Sequence, residues 1–98
     1  MKNSKKTAFV YVVRCRDGSL YTGWTYDLTA RLAAHAAGKG AKYTRSRLPV
    51  TPAACFEFSS SMQARRFEAR FKRLRRAQKD ALIDASDPAL ADPIENDA

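Results

Sequence analysis

Two side chains able to act on a phosphate lie four positions apart in a segment with helical periodicity. A helix would place Arg31 and His35 on one face, with Asp27 one turn earlier. A guanidinium fork can bind phosphate, and the imidazole beside it can exchange a proton near neutral pH. The same spacing fits an exposed Asp27–Arg31 ion pair worth about 0.3–0.5 kcal/mol. The spacing alone leaves both interpretations open.

A single carboxylate stands in a strongly basic second helical segment. Glu68 is the only acid between Glu57 and Asp80. Mg²⁺ prefers oxygen ligands, and it commonly uses only one or two protein carboxylates together with water and substrate phosphate. Glu68 is therefore a candidate metal ligand. The alternative is an ordinary i,i+4 ion pair between Glu68 and Lys72.

Two phenols join these groups if a β-hairpin turns them the same way. Residues 7–14 and 19–24 are typical of two strands joined by a turn at Arg16-Asp17-Gly18. A two-residue turn would put Tyr11 and Tyr21 on opposite faces, because successive strand residues alternate. A three-residue turn, closed by a glycine in the left-handed conformation, puts them on one face. We predict the three-residue turn and two converging phenols.

A glycine inside the second strand belongs to the same face. Gly23 would share that face with Tyr11 and Tyr21. Glycine weakens a strand, and it often marks the close approach of a ligand or of another backbone. A simple bulge is the alternative.

The remaining elements position these side chains. Asp27 predicts the start of the first helix, Gly38 predicts its end, and Leu28, Leu32 and Ala36 form its expected buried stripe. Residues 38–49 are expected to form a basic loop, and residues 50–58 a third strand. Two further helices are expected over residues 59–74 and 76–85. The order β-β-α-β-α-α predicts an α/β (α+β) domain, with an antiparallel three-stranded sheet flanked by helices.

Charge is distributed very unevenly along the chain. Residues 1–79 hold all 18 Lys and Arg and only four acids, a net charge of +14, whereas residues 80–98 hold six acids and no base. A body this basic favours binding to nucleic acid, although a basic surface can serve solubility alone. We expect the acidic tail, residues 86–98, to be poorly ordered and to compete with phosphate for the basic surface.

Composition excludes several other classes of protein. A chain of 98 residues with 45% hydrophobic and 29% charged residues is one folded domain, without an apolar run long enough to span a bilayer. No secretory signal is recognised, so a cytoplasmic protein with reduced Cys15 and Cys55 is expected. The cysteine spacing does not match a structural zinc site. We expect a monomer.

Three stretches, taken in order, resemble the GIY-YIG nuclease superfamily, and in particular its small stand-alone, UPF0213-like bacterial proteins. They are VYVVRCRDGSLYTGWTYDLTARLAAH, GKGAKYTRSRLPV and FEARFKRL, and the resemblance covers residues 8–83. It implies a GIY-YIG domain over residues 8–85, after a basic segment at residues 1–7. It also implies an endonuclease that uses Mg²⁺ or Mn²⁺ to hydrolyse phosphodiester bonds in DNA, for instance in repair or recombination intermediates.

The resemblance implies a role for each candidate catalytic residue. Tyr11 matches the first half of the motif, and Tyr21 and Gly23 match the second half. Arg31 matches the arginine that binds phosphate, and His35 matches a position occupied by His or Tyr. Glu68 matches the metal ligand. Tyr21, as a phenolate or through a water, would help to deprotonate the attacking water.

A basic surface beside this site is the predicted contact with nucleic acid. It comprises Lys39, Lys42, Arg45, Arg47, Arg65 and Arg66. Tyr43 either stacks on a base or packs within its loop.

The chain also departs from the pattern of the superfamily. The first motif half reads Phe9-Val10-Tyr11, and the late asparagine of many active members is missing, since the only asparagines are Asn3 and Asn96. The missing asparagine favours an alternative, a non-catalytic nucleic-acid-binding module with the same fold. A domain that binds an acidic protein partner is a third possibility.

Overall fold

A computed structural model describes residues 6–86 of the chain. The elements, in chain order, are β1 Ala8–Arg14, β2 Leu20–Thr25, α1 Leu28–Ala36, α2 Lys42–Arg45, β3 Thr51–Phe58, α3 Ser61–Arg73 and α4 Arg76–Ala85. The predicted acidic tail beyond residue 86 and most of the basic N-terminal segment lie outside the described residues. The predicted order of elements is confirmed, with α2 as one additional helical turn inside the basic loop.

The described residues form a three-stranded antiparallel sheet with the order β2-β1-β3. The hairpin has the predicted three-residue turn: the Cys15 amide donates to the Ser19 carbonyl, and Gly18 is left-handed with φ 86°. Tyr11 is therefore paired with Gly23, and Val13 with Tyr21. The two phenols lie on one face of the sheet, as predicted. β3 is an edge strand, which accommodates Pro52 near its start.

Helix α1 begins and ends as its sequence predicts. The Asp27 side chain accepts a hydrogen bond from the Ala30 amide, and Gly38 follows the helix with φ 81°. The predicted buried stripe is partly wrong, because Ala36 is exposed and His35 is fully buried. The helix is turned about its axis so that His35 reaches Tyr11, a contact that helical periodicity does not encode.

The other face of the sheet carries an aromatic core under α3 and α4. Phe71 contacts Val12 and Ile83, and Phe67 packs against Phe56 with ring centroids 4.7 Å apart. Both cysteines are buried and reduced, and burial raises the pKa of the Cys55 thiol to about 12. No helix within residues 6–86 is long and apolar enough to cross a membrane.

Candidate active site

Tyr11 is at the centre of the site. It lies in the middle of the central strand with only 1% of its surface exposed. Its hydroxyl accepts a hydrogen bond from Arg31 Nε at 3.1 Å, and it lies 2.9 Å from His35 Nε2. Sheet and α1 thus bring together three of the predicted residues in one buried group.

The glycine opposite Tyr11 leaves room for its ring. A Cβ built on Gly23 would lie 2.5 Å from Tyr11 Oη and 2.8 Å from Tyr11 Cζ. A group does approach Gly23 closely, but it is the Tyr11 side chain of the neighbouring strand, and not the ligand or backbone that was predicted. Gly23 contributes to the site by having no side chain, which allows the Tyr11 ring to lie across β2.

His35 bridges Tyr11 to the loop after α1. Its Nδ1 lies 3.0 Å from Thr44 Oγ1, and that hydroxyl donates to the Ala41 carbonyl at 3.1 Å. His35 and Thr44 are both fully buried. Burial, with a smaller effect of the Arg31 charge, lowers the pKa of His35, so the imidazole is neutral at pH 7.

Arg31 ties the same loop to the sheet. Besides Tyr11, its guanidinium donates from Nη2 to the Gly40 carbonyl at 2.8 Å. Arg31 points toward these two groups rather than toward Asp27, whose side chain caps the helix. Two of the five N–H donors of a guanidinium are thus used, and three remain for a ligand.

The pKa of Tyr11 is raised rather than lowered. Burial is the largest cause, and the hydrogen bond and positive charge of Arg31 only partly oppose it. The negative charge of Glu68 is the last of the causes that raise it, so that carboxylate is within electrostatic range of the phenol. Tyr11 is therefore protonated at neutral pH and can donate a hydrogen bond.

Tyr21 forms the wall between the buried group and an open groove. Its ring centroid lies 5.3 Å from that of His35 and 6.1 Å from that of Tyr43, with the two tyrosine planes 22° apart. The groove has a volume of about 210 Å³ and follows the edge of β2. It is lined by Leu20, Tyr21, Thr22, Tyr43, Lys72 and Lys79.

Glu68 reaches this groove through Lys72. Its Oε2 lies 2.7 Å from Lys72 Nζ, and only 17% of the Glu68 side chain is exposed, against 53% of that of Lys72. The ion pair foreseen as one alternative is therefore present. It places the Glu68 carboxylate next to Lys72, which lines the groove.

A magnesium ion bound at Glu68 would have to keep most of its water. Among residues 6–86, no group of three or more His, Cys, Asp or Glu side chains is placed to hold a metal. A closed protein cage is thus not offered within that range. Mg²⁺ does not require one, since one carboxylate, several waters and substrate oxygens satisfy it.

The predicted nucleic-acid contacts lie in different places. Lys39, Lys42 and Arg45 are exposed on the loop and on α2. Arg65 and Arg66 are exposed on opposite flanks of the buried stripe of α3. Arg66 lines a second groove with Glu57 and Arg70, away from Tyr21.

Arg47 is held by internal contacts. It pairs with Asp17 at 3.1 Å, donates to the Tyr43 carbonyl, and stacks on the Tyr43 ring 3.8 Å from its centroid. These contacts fasten the loop to the hairpin turn. They also cover part of the Tyr43 ring, which favours loop packing for a side chain that is 39% exposed.

Sequence reasoning missed three residues of the site. Thr44 and Gly40 lie in the basic loop, where charge is the obvious feature of the sequence, yet Thr44 is buried and a Cβ at Gly40 would collide with His35 Nδ1. Lys79 lies in the last helix, eleven positions after Glu68, and only tertiary structure brings it to the groove. Gly40, which follows the glycine at the end of α1 by two residues, was the one local signal in the sequence.

The family can be identified from the match to known proteins. A sequence model described as the GIY-YIG catalytic domain matches residues 7–81. The chain belongs to the GIY-YIG family. The superfamily is one of nucleases, and the Tyr11, Tyr21, Gly23 and Arg31 positions all lie inside the match.

Individual GIY-YIG relatives are close in sequence. The UPF0213 protein VNG_2274C of Halobacterium salinarum is 55% identical over 74 residues, which cover 76% of this chain and 96% of the relative. The UPF0213 protein spr1390 of Streptococcus pneumoniae is 51% identical over 76 residues, which cover 78% of this chain and 77% of the relative.

Solved structures of the same group share the fold. The solution NMR structure of the UPF0213 protein BH0048 from Bacillus halodurans has a TM-score of 0.56 and 42% identity, and it covers 87% of this chain and 92% of that one. The structure of EF2693 from E. faecalis has a TM-score of 0.57 and 39% identity, with 87% and 90% covered. This chain is thus similar to small UPF0213 proteins over most of their length.

Proposed function

We propose that this protein is a metal-dependent endonuclease that hydrolyses phosphodiester bonds in DNA. The observation that carries the proposal is the contact of Arg31 with Tyr11, in a group that Tyr21 links to the cationic groove at the edge of β2. An oriented guanidinium next to a phenol is the arrangement required where negative charge develops on a phosphate. Membership of a nuclease superfamily makes hydrolysis the natural use of that arrangement.

Arg31 binds and stabilises the phosphate in this proposal. Its charge is permanent, and its contacts with Tyr11 and Gly40 fix the plane of the guanidinium before a ligand arrives. The remaining donors can then meet phosphate oxygens without reorganising. Such preorganisation is worth much more in a partly buried site than in water.

Tyr21 is the phenol that meets the solvent side of the site. It is half-buried, lines the groove, and lies above the His35 ring. Tyr11 is buried and protonated, so it orients Arg31 instead of accepting a proton from water. Tyr21, acting as the phenolate, is therefore the residue that orients the attacking water and receives its proton, directly or through a second water.

Glu68 would hold the metal at the side of the groove. A bound Mg²⁺ or Mn²⁺ would supply positive charge for the leaving oxygen. Lys72 is exposed on a long flexible stem and can turn from Glu68 into the groove, where Lys79 already lies. Together with Lys39, Lys42, Arg45 and Arg65, these lysines form the proposed contact with the phosphate backbone.

Plasmid cleavage tests the proposal with a matched pair of variants. Supercoiled and branched DNA are incubated with the wild type, Glu68→Gln and Glu57→Gln, with Mg²⁺ or with EDTA. Glu57 is an exposed glutamate that lines the second groove. We expect wild type and Glu57→Gln to cleave only with Mg²⁺, and Glu68→Gln to bind DNA without cleaving it.

Two outcomes would replace the proposal. Equal, salt-sensitive DNA binding by all three proteins without any cleavage would identify a non-catalytic nucleic-acid-binding module. The absence of DNA binding at low salt would favour a domain that binds an acidic protein. Cleavage by Glu68→Gln at the wild-type rate would remove Glu68 from the mechanism.

A further inference from the structure

A continuous row of hydrogen bonds crosses the buried side of the site. It runs from Arg31 Nε to Tyr11 Oη, from Tyr11 to His35 Nε2, from His35 Nδ1 to Thr44 Oγ1, and from Thr44 to the Ala41 carbonyl. Its separations are 3.1, 2.9, 3.0 and 3.1 Å. Tyr11, His35 and Thr44, the three interior members, are at most 1% exposed.

The two ends of this row fix the position of every proton in it. Arg31 is only a donor and the Ala41 carbonyl is only an acceptor. The Thr44 hydroxyl donates its single proton to the Ala41 carbonyl, so its oxygen must accept a hydrogen bond from His35 Nδ1. A neutral imidazole has one N–H, which leaves Nε2 as the acceptor of the Tyr11 proton.

We propose that Thr44 is a positioning residue, which holds His35 in the Nδ1–H tautomer and thereby directs the Tyr11 hydroxyl proton away from Arg31. The proposal rests on the proposed function for its catalytic consequence, because Thr44 touches neither substrate nor metal. It acts through His35 and Tyr11 on the guanidinium that binds phosphate.

The opposite tautomer shows why this orientation matters. If His35 carried its proton on Nε2, that N–H would point at Tyr11 Oη, and the Tyr11 proton would have to leave His35. The phenol would then receive donors from both His35 and Arg31, and its own proton would lack an acceptor. Arg31 would then be bound to a phenol whose own buried proton has no acceptor, which makes this arrangement unfavourable.

The loop is shaped to hold Thr44 against the imidazole. Gly40 lies so close to His35 that a Cβ there would collide with Nδ1. The Gly40 carbonyl also accepts from Arg31, so one loop contacts both ends of the Arg31–Tyr11–His35 group. Thr44 lies in the single helical turn that follows and is fully buried, as is His35.

Ring ¹⁵N NMR measures the tautomer directly. His35 is the only histidine of the chain, so the full-length protein labelled with ring-¹⁵N histidine gives one assignable imidazole. We expect the Nδ1–H tautomer in the wild type and in Thr44→Ser, which keeps the hydroxyl. Thr44→Val keeps the shape but offers no acceptor, and we expect it to move His35 toward the Nε2–H tautomer.

Kinetics and exchange of the Arg31 Nε–H proton show whether the tautomer matters. We expect Thr44→Val to lower kcat by about 10- to 100-fold, the size of the effect seen when a metal-bound histidine loses its outer hydrogen-bond partner. KM should be little changed, and Thr44→Ser should restore kcat. The Arg31 Nε–H proton should exchange faster with water in Thr44→Val than in the other two proteins.

The outcomes separate this inference from the nuclease proposal. An Nε2–H tautomer in the wild type, or an unchanged tautomer in Thr44→Val, would overturn the role of Thr44 whether or not DNA is cleaved. A shifted tautomer with wild-type kcat would overturn it as well. A wild type that never cleaves DNA would end the nuclease proposal, while the tautomer and Arg31 exchange would still decide whether Thr44 positions the group.

Discussion

The two faces of the central strand β1 are equally buried but filled with different chemistry. On one face, Val10 and Val12 lie against the small and aromatic side chains of α3. On the other face, Tyr11 meets an imidazole and a guanidinium. Apolar burial stabilises without requiring direction, whereas each buried polar group must find a partner with suitable geometry. Both faces contribute apolar burial, since Val13 and Val50 are buried in the same cluster as Tyr11, but only the second face carries the oriented polar group of the site.

This division has an energetic reason. A hydrogen bond contributes only about 0.5–1.5 kcal/mol net to folding, but leaving a buried partner unpaired costs about 1–3 kcal/mol. The group formed by Tyr11, His35 and Arg31 is therefore close to neutral when complete and unfavourable when broken. Variants of the aromatic face should lose stability without losing cleavage, whereas variants that break the polar group should lose cleavage.

The largest expected effect is on the aromatic face. Phe71→Ala empties the space between Val12 and Ile83, and it should lower the free energy of unfolding by about 3–5 kcal/mol. Urea denaturation measures this loss, with the partly exposed Leu82→Ala as control. The kcat per folded molecule should stay near that of the wild type. A tenfold drop in that kcat would break the proposed division of the faces.

The second-largest effect is a loss of cleavage when the polar group is altered. Arg31→Lys keeps the charge but cannot donate to both Tyr11 and Gly40 in a fixed plane. Cleavage should fall by about 10²- to 10³-fold, as on the loss of an oriented donor to a developing anion. Initial rates on plasmid DNA measure the fall, and Arg14→Lys, an exposed arginine of β1, is the control. Wild-type rates in both variants would remove Arg31 from the site.

A smaller effect, on both stability and cleavage, is expected at Gly23. The methyl group of Gly23→Ala would overlap the Tyr11 ring, so stability should fall by about 1–3 kcal/mol and cleavage should fall with it. Gly18→Ala meets no atom within 4 Å and strains only the turn. It should lower stability without changing kcat. If both variants cleave equally well, the Tyr11 ring position is not critical.

The smallest effect is a dependence of stability on pH. The pKa of His35 is lowered in the folded protein, so the unfolded chain binds one proton more between that value and about 6.5. Stability should therefore fall as pH drops from 7 toward the lowered pKa, and level off below it apart from carboxylate titration. Urea midpoints from pH 7.5 to 5.5 measure this, and His35→Gln should flatten the upper part of the curve. An equal slope in both proteins would assign the effect to other groups.

Sequence predicted the features that depend on local chemistry. The turn at Gly18 fixed the strand register and so placed Tyr11 beside Gly23, and Asp27 and Gly38 marked the limits of α1. The burial of His35 and the exposure of Ala36 were not predictable, because the rotation of α1 is set by the contact with Tyr11. Thr44 was not predicted as a site residue for a similar reason, since its partner His35 lies in another element.

The central position of β1 gives the site a particular dynamic character. Tyr11 lies in the strand bonded on both sides, so its backbone is released only when the whole sheet opens. Amide hydrogen exchange at this position should report global unfolding, while the loop bearing Thr44 can open in smaller, more frequent fluctuations. Tyr11 thus belongs to the slowest-exchanging part of the molecule, whereas Thr44, at the other side of His35, lies in a segment that opens more often.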